Sequence, residues 1–394
     1  MTVQEQALPL LTRLGNFELV RLLAQGGMAD IYLARQVGIG QFERHVAVKV
    51  LNAQRASDPE SCALFLDEAR LVGMLNHGNL ASVHEVAAQG GVHYLAMEYV
   101  HGADLREILA QAQRGDASIA YECALTIVMQ AAAGLDHAHR RCAPDGRPLH
   151  LVHRDVSLSN IMVGHDGSVK LIDFGIATSA ASIHRTNPGI VRGKASYMSP
   201  EQCLGDPVDL RTDVFALGVV LYEVATGRRC FQGNTDFERM LAVVQGNFVL
   251  PSEHVADFPP ALEQVICKAL AIKADDRFAT ASELIEALET VALLEGWTLG
   301  THHTQRMMRG LFGTVVEPWA TAQGDDTTYV CPPPVPPPSA LDVPQPTVVI
   351  TKPRRFARGT ESDCYETPPL PEPWHDDDAP TRGRRSLARF WAAA

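Results

Sequence analysis

The sequence lacks the features that mark several large classes of protein. Its eight cysteines include no CxxC pair, which argues against a disulfide framework and a zinc site and suits a reducing compartment. Basic residues number 34 against 46 acidic ones, so no nucleic-acid partner is expected. The best apolar stretch, 214–225, is too short to cross a bilayer and contains Glu223. The first residues include Glu5 and no apolar core, so we expect no secretory signal and no transmembrane segment, and predict a cytoplasmic location.

Proline is sparse in most of the chain and dense near its end. Residues 317–380 hold 15 of the 25 prolines, in runs such as PPPVPPP at 332–338. This composition predicts a disordered Pro-rich tail over 317–394, with a basic C-terminal end at 382–391. Two roles stay open for the tail. Its polyproline segments dock into a groove-type binder, or they form a stiff spacer without a ligand.

Regular apolar spacing begins at residue 17 and continues to about residue 290. Period-2 alternation predicts strands in the first part of this region, and a 3.6-residue period predicts helices in the rest. The predicted strands are 18–24, 30–35, 45–51, 82–89 and 92–99, and the predicted helices are 59–75, 121–139, 212–225, 235–245, 260–270 and 280–294. The pattern indicates an α+β fold with a small β-rich lobe, a large α-rich lobe and a cleft between them.

The same pattern gives the domain organisation. We expect an N-terminal extension at 1–16 and a two-lobed domain at 17–290, in which the small lobe covers about 17–100 and the large lobe about 101–290. An accessory helical segment is expected at 291–316, before the tail. Its Met307, Leu311 and Phe312 are predicted to pack back on the large lobe.

A charged pair is expected inside the small lobe. Strand alternation places Lys49 on the face opposite Val46 and Val48. Glu68 interrupts the apolar stripe of helix 59–75, so each charge needs a partner and each is suited to the other. The alternative is that Lys49 extends to water from an edge strand and that Glu68 is solvated at the margin of its stripe.

The segment from 153 to 175 contains the densest group of reactive side chains. Residues 161–163 and 168–172 flank a GHDG turn, which predicts a β-hairpin. The open ends of that hairpin bring Asn160 beside Asp173, and two oxygen ligands of this kind suit Mg²⁺ together with phosphate oxygens. Asp155 lies just before them and is able to accept a proton from a substrate hydroxyl.

The motifs occur in the order typical of one family. They are AQGGMADI at 24–31, VAVK at 46–49, Glu68, MEYV at 97–100, HRDVSLSN at 153–160, DFG at 173–175, SPE at 199–201 and DVFALG at 213–218. Residues 17–290 therefore resemble a protein kinase catalytic domain, most similar to the bacterial Hanks-type Ser/Thr kinases. The resemblance implies a two-lobed kinase fold, ATP and Mg²⁺ as cofactors, and transfer of the γ-phosphate to Ser/Thr hydroxyls of protein substrates.

The resemblance also implies a role for each matching residue. Asp155 would be the catalytic aspartate, Lys49 would hold phosphates and pair with Glu68, and Asn160 and Asp173 would hold the metal. The residues implied in nucleotide binding are Ala24, Gly26, Gly27, Ile31, Ala47, Lys49, Met97, Glu98, Val100, Asp104 and Met162. Val72, Val83, His153 and Phe174 would stack as a regulatory spine that Asp213 supports, and Glu201 would pair with Arg277.

Three departures from the family pattern keep a second function open. Ala24 and Ala29 stand where glycines are usual, Ser157 stands where a lysine is usual, and Lys194 stands where a threonine is usual. They leave a pseudokinase-type scaffold that binds nucleotide or a protein partner as the alternative. A small-molecule kinase agrees less well with the substrate platform at 193–201.

Regulation by phosphorylation is expected after the DFG motif. Arg154 precedes the catalytic aspartate, and such a pair is typical of kinases whose activation loop is ordered by a phosphate. We expect autophosphorylation there, with Thr186 as the preferred site and Thr178 and Ser182 as further candidates.

Overall fold

The computed structural model describes residues 13–56, 58–143, 145–174 and 195–319. The predicted tail beyond Trp319 and most of the expected N-terminal extension lie outside these residues. The strands are β1 (Arg13–Leu14), β2 (Phe17–Gln25), β3 (Ala29–Val37), β4 (Glu43–Leu51), β5 (Val83–Gln89), β6 (Val92–Glu98), β7 (Gly102–Asp104), β8 (Ile161–Gly164) and β9 (Val169–Leu171).

Helices make up most of the second part of the domain. They are α1 (Ala53–Ala56), α2 (Pro59–Gly73), α3 (Leu105–Arg114), α4 (Tyr121–His139), α5 (Pro200–Leu204), α6 (Arg211–Thr226), α7 (Asp236–Gln245), α8 (Pro251–His254), α9 (Pro260–Ala269), α10 (Ala281–Glu295) and α11 (Thr301–Phe312). The predicted two-lobed α+β fold is confirmed, with a sheet lobe followed by a helical lobe.

The small lobe is a six-stranded antiparallel sheet with the strand order β1-β2-β3-β4-β6-β5. On one face Val46, Val48 and Val50 of β4 pack with Phe17 and Tyr94. The other face is covered by α2, because strand alternation turns the remaining side chains of β4 toward that helix. Lys49 lies on this covered face, as predicted.

Helix α2 begins where its sequence signal places it. The Asp58 carboxylate accepts from the backbone N–H of Glu60 at 3.4 Å and of Ser61 at 3.3 Å, and Pro59 opens the helix. Phe65 and Ala69 bury the apolar stripe against the sheet. Glu68, on the same helix, is 6% exposed and so enters the lobe interior.

The large lobe is built around two apolar helices, α4 and α6, which contact each other in one continuous core. A small antiparallel sheet, β7-β8-β9, lies against this core and carries the reactive hairpin at its edge. Helix α3, absent from our sequence reading, follows β7 and buries Leu105, Ile108 and Leu109. Its buried positions have helical spacing with polar residues between them, and Asp104 is a favourable N-cap, so the sequence did contain the signal of an amphipathic helix.

Helix α11 packs on the large lobe through one face. Met308 and Thr304 are fully buried there, and Met307, Leu311 and Phe312 are partly buried against the main core. The Thr304 hydroxyl donates to the Gly167 carbonyl in the β8–β9 turn at 2.8 Å. The reactive hairpin is therefore supported from behind by a helix near the end of the described chain.

Replacement of Met308 with alanine should destabilise the domain by about 2–5 kcal/mol, because it leaves a cavity between α11 and the core. The free energy of unfolding in urea measures this. Arg306→Ala is the matched control, since Arg306 lies on the exposed face of the same helix and should change stability by about 0.5 kcal/mol or less. Equal effects of the two variants would contradict the packing described here.

Candidate active site

A buried cation lies between two carboxylates at the junction of the lobes. Lys49 Nζ is 3.0 Å from Glu68 Oε1 and 3.0 Å from Asp173 Oδ1. The Lys49 and Glu68 side chains are only 13% and 8% exposed. The three residues come from β4, α2 and the segment after β9, so one ammonium joins a strand and a helix of the small lobe to the large lobe.

Burial and charge act in opposite directions on this lysine. Burial alone would lower the pKa of Lys49, but the carboxylates of Asp173 and Glu68 outweigh it and hold the pKa above the ordinary value for lysine. Lys49 is therefore a permanent cation in this site at physiological pH.

The hairpin joins the residue before β8 to the segment that follows β9. Residues Ile161 and Leu171 pair across it, and the Ile172 N–H donates to the Asn160 carbonyl at 2.9 Å. The Asn160 amide nitrogen donates to the Asp155 carboxylate at 2.9 Å and to the Asp155 carbonyl at 2.7 Å. The amide nitrogen of Asn160 thus fixes the orientation of the Asp155 carboxylate. The amide oxygen of Asn160 consequently points away from that carboxylate.

A buried aspartate holds the loop that carries Asp155. Asp213, at the start of α6, accepts from the backbone N–H groups of His153 and Arg154, both at 2.8 Å, and from His139 Nε2 at 2.7 Å. Burial alone would raise the pKa of Asp213, but the hydrogen bonds from His139 and His153 hold it below its ordinary value. Arg154 has a φ of 65°, and Asp213 stabilises that uncommon backbone conformation.

The four predicted spine residues lie along one path through both lobes. The rings of His153 and Phe174 are 4.6 Å apart. Phe174, Val72 and Val83 border a small, mainly apolar cavity behind Met97. The cavity is also bordered by Glu68 and Asp173, so these apolar side chains lie next to the charged group. Their role as a regulatory spine stays a prediction.

The strand register brings the predicted nucleotide residues together in pairs. Ala24 pairs with Ile31, and Ile31 pairs with Lys49, across three neighbouring strands of the small lobe. Ala47 pairs with Met97 in the same sheet. In the large lobe Asp104 pairs with Met162. These pairs lie on both sides of residues 98–101, which join the lobes and contain Glu98 and Val100. We call residues 98–101 the interlobe segment.

Two of these residues, Glu98 and Asp104, also make hydrogen bonds that stabilise the fold. The Glu98 carboxylate accepts from Lys170 Nζ at 3.0 Å and from the Ser82 N–H at 3.2 Å. Asp104 caps α3 by accepting from the Glu107 N–H at 2.8 Å, and it pairs with Arg106 at 3.1 Å. Their predicted contacts with adenine and ribose stay predictions.

The backbone of β2 and β3 explains why alanines are tolerated at positions 24 and 29, where the family usually has glycines. Ala24 and Ala29 lie within the strands and are not among the described residues with positive φ, so neither needs glycine. Gly26 does, because an added Cβ would lie 2.6 Å from the Ala29 carbonyl. Asn52 Nδ2 donates to the Gly26 carbonyl at 2.8 Å and fixes this loop, which also contains Gly27, to the end of β4.

A second buried ion pair supports the far side of the site. Arg277 is 4% exposed and binds both carboxylate oxygens of Glu201 at 2.8 Å. Thr212 also donates to Glu201, at 2.7 Å. The neighbouring Gln202 donates to the Arg154 carbonyl at 2.9 Å. The SPE motif is thereby linked to the loop that carries Asp155.

The described side chains of the site offer oxygen donors to a divalent cation. Asp173 contributes a carboxylate beside Lys49, and Asn160 contributes an amide oxygen. Among the described residues, no group of three or more His, Cys, Asp or Glu side chains is placed to hold a metal. Mg²⁺ needs only one or two protein oxygens when phosphates supply the others, so Asn160 and Asp173 fit this ion.

Comparison with known proteins agrees with this geometry. A family model described as "Protein kinase domain" matches residues 17–288. The chain belongs to the protein kinase family.

Several bacterial kinases are similar to this one. The tyrosine-protein kinase MasK of Myxococcus xanthus is 41% identical over 282 residues, which are 72% of this chain and 44% of MasK. The serine/threonine-protein kinase PknB of Mycolicibacterium smegmatis is 38% identical over 275 residues, 68% of this chain and 42% of PknB. Both relatives are more than twice as long as the part that matches.

The fold has solved counterparts as well. The PknI kinase domain of Mycobacterium tuberculosis is 27% identical and superposes with a TM-score of 0.54, covering 73% of this chain and 100% of that chain. A helix suited to crossing a membrane is not found in the described part of this kinase.

The structure shows contacts of this kinase that we did not predict from its sequence. Tyr197, before the SPE motif, donates to the buried Glu223 of α6 at 2.6 Å. The His139 contact with Asp213 and the Lys170 contact with Glu98 were also missed. The residues in each pair lie far apart in the chain, and one sequence contains no signal that pairs them.

The remaining residues singled out from the sequence are either buried or outside the described residues. Ser157 is 2% exposed, and its hydroxyl lies 3.0 Å from that of Ser159. A serine thus occupies the interior of the catalytic loop where a lysine was the family expectation. Lys194, the DFG glycine and the three phosphorylation candidates Thr178, Ser182 and Thr186 lie outside the described residues.

The pair of Glu201 and Arg277 should make stability depend on pH in a defined way. Burial alone would raise the pKa of Glu201, but Arg277 and Thr212 lower it from 4.5 to about 2. A lowered pKa in the folded state stabilises the fold above pH 4.5, and the gain is lost as the pH falls toward 2. The stability advantage of the wild type over Glu201→Gln should therefore fall by about 1.4 kcal/mol between pH 6 and pH 3.5.

Urea unfolding of both proteins across this range measures the difference. The matched control is Glu289→Gln, because Glu289 lies on the exposed face of α10 and its difference from wild type should vary less over the same range. A constant difference for Glu201→Gln would contradict the assigned ion pair.

Proposed function

We propose that this kinase transfers the γ-phosphate of ATP to serine and threonine hydroxyls of proteins, including its own activation segment. The observation that carries the proposal is the arrangement of Lys49, Glu68, Asp155, Asn160 and Asp173 in one cleft. Serine/threonine specificity draws on relatives such as PknB of Mycolicibacterium smegmatis and PrkC of Bacillus subtilis, the latter 32% identical over 276 residues. We take 17–290 as the catalytic domain.

The proposed reaction needs alignment and charge more than covalent help. The substrate hydroxyl oxygen attacks the γ-phosphorus, the bond to the β–γ bridging oxygen breaks, and ADP leaves with that oxygen. Asp155, oriented by the amide of Asn160, accepts the hydroxyl proton. Lys49, held by Glu68, places a fixed positive charge against the α- and β-phosphates.

The proposal also assigns residues to the metal ion and to the adenine. Asn160 and Asp173 would hold Mg²⁺, which supplies positive charge against the phosphate oxygens when bound. In the structure Lys49 also contacts Asp173, so the ammonium and the ion would share one carboxylate. Adenine would lie between Ala47 and Met162, beside the segment that follows the gatekeeper Met97.

The scaffold alternative is weakened by the loop geometry. Ala24 and Ala29 were reasons to consider a pseudokinase, yet both have ordinary strand conformations. Ser157 replaces a cation but removes none of the groups used in the proposed transfer. Transfer to tyrosine, for which MasK is named, is the other outcome that the experiment must separate.

The decisive experiment is phosphate transfer from labelled ATP by the purified full chain. The wild type should label itself and a peptide library on serine and threonine, and mass spectrometry should locate self-labelling within residues 176–198. Asp155→Asn should lose about 10²–10⁴-fold in transfer rate, because the proton acceptor is gone, and should still bind ATP and Mg²⁺.

Glu122→Gln is the control, since Glu122 belongs to α4 in the large lobe and has no part in the proposed reaction. Nucleotide binding without transfer by the wild type would favour the scaffold. Label found on tyrosine alone would contradict the proposed specificity, and label outside 176–198 would contradict the proposed autophosphorylation site.

A further inference from the structure

The chain continues beyond the region that the family model matches. That match ends at residue 288, whereas the described structure runs to Trp319. We call residues 297–319 the C-terminal strap, because they run along the large lobe and end at the segment joining the two lobes. The strap therefore adds contacts outside the family match.

The first part of the strap is fixed to the large lobe. Trp297 stacks on Tyr121 of α4 with ring centroids 5.2 Å apart. The middle of the strap is α11, with Met308 fully buried and Thr304 bonded to Gly167. Gln111 of α3 donates to the Leu311 carbonyl at 3.0 Å. This part of the strap has side-chain and backbone contacts along its whole length and is well supported.

The last residue of the strap contacts the other lobe. The Trp319 ring is stacked on His45 of β4, with centroids 4.3 Å apart and planes at 11°. It also meets Tyr99 edge-on at 6.0 Å and His101 at 6.2 Å. One side chain thus touches a strand of the small lobe and the interlobe segment at once.

The rings continue from Trp319 back to the large lobe. His101 lies 4.8 Å from His165 in the β8–β9 turn, and His165 lies 6.0 Å from Phe312 at the end of α11. Aromatic and imidazole rings therefore form an unbroken series from β4, past the interlobe segment, to α11. Such edge and stacked contacts are attractive beyond their apolar area.

The position of Trp319 relates it to the proposed nucleotide site. His45 is two residues before Ala47, and Tyr99 lies between Glu98 and Val100, whose backbone groups are the proposed adenine contacts. His45 and Tyr99 therefore belong to chain segments that border the proposed adenine position. The Trp319 ring contacts these segments through the rings of His45 and Tyr99.

We propose that Trp319 is a positioning residue for ATP, which sets the spacing of β4 and the interlobe segment by stacking on His45 and contacting Tyr99 edge-on. The proposal rests on the proposed kinase function for its ATP readout. Without the indole, β4 and the interlobe segment keep their sheet contacts but lose the outer support that fixes their separation. The effect falls on nucleotide affinity, whereas the groups that perform the transfer stay in place.

Trp319→Ala should raise the KM for ATP by about three- to tenfold, with kcat within about twofold of the wild type. Trp319→Phe should restore most of the affinity, because a ring that can stack on His45 is kept. Trp297→Ala is the matched control, since it removes another stacked tryptophan of the strap, whose ring packs on Tyr121 in the large lobe. It should leave the KM for ATP unchanged.

A second readout tests the strap without activity. Hydrogen exchange of the backbone amides at 97–101, measured without nucleotide, should be faster in Trp319→Ala than in wild type and Trp297→Ala. Unchanged exchange and unchanged KM in Trp319→Ala, or equal changes in Trp297→Ala, would overturn the proposal. A wild type that transfers no phosphate would refute the proposed function alone, because the exchange measurement would still decide the role of Trp319.

Discussion

The structure depends on one buried ammonium group and on the two carboxylates that keep it charged. Lys49 is almost fully removed from water, and an isolated charge in that position would be strongly unfavourable. Two carboxylates compensate it, and they come from a helix of the small lobe and from the segment after the reactive hairpin. Because both must be within about 4 Å for this compensation, the pairing of Lys49 fixes the orientation of α2 and the approach of the two lobes.

The carboxylates of the site divide into two groups by what they contact. Glu68 and Asp173 lie against Lys49, and Asp155 accepts from the Asn160 amide. Asp213 and Glu201 are held instead by His139 with two backbone N–H groups and by Arg277. The second group fixes the backbone of the loop that carries Asp155 and of the SPE motif. The first group lies where the metal ion and the nucleotide are proposed to bind.

Much of this could be read from the sequence, and most of the limits have physical causes. Lys49 and Glu68 were predictable, because a charge inside an apolar strand or stripe needs a partner, and the β8–β9 hairpin was predictable from the GHDG turn between its strands. Helix α3 was missed although Leu105, Ile108 and Leu109 have helical spacing after the N-cap Asp104, so this miss has no physical cause and the local pattern was sufficient to predict the helix. Contacts such as Tyr197 with Glu223, or Trp319 with His45, join distant segments and depend on packing that no local pattern records.

A double-mutant cycle on ATP affinity tests the central claim most directly. Calorimetry with Mg²⁺ and a non-hydrolysable ATP analogue gives the Kd of wild type, Lys49→Met, Glu68→Gln and the double variant. If Glu68 acts by holding Lys49, the two losses are not additive, and the coupling is about 1 kcal/mol or more, a factor of about five in Kd. Independent, additive losses would show that the ammonium does not depend on Glu68 and would contradict the account.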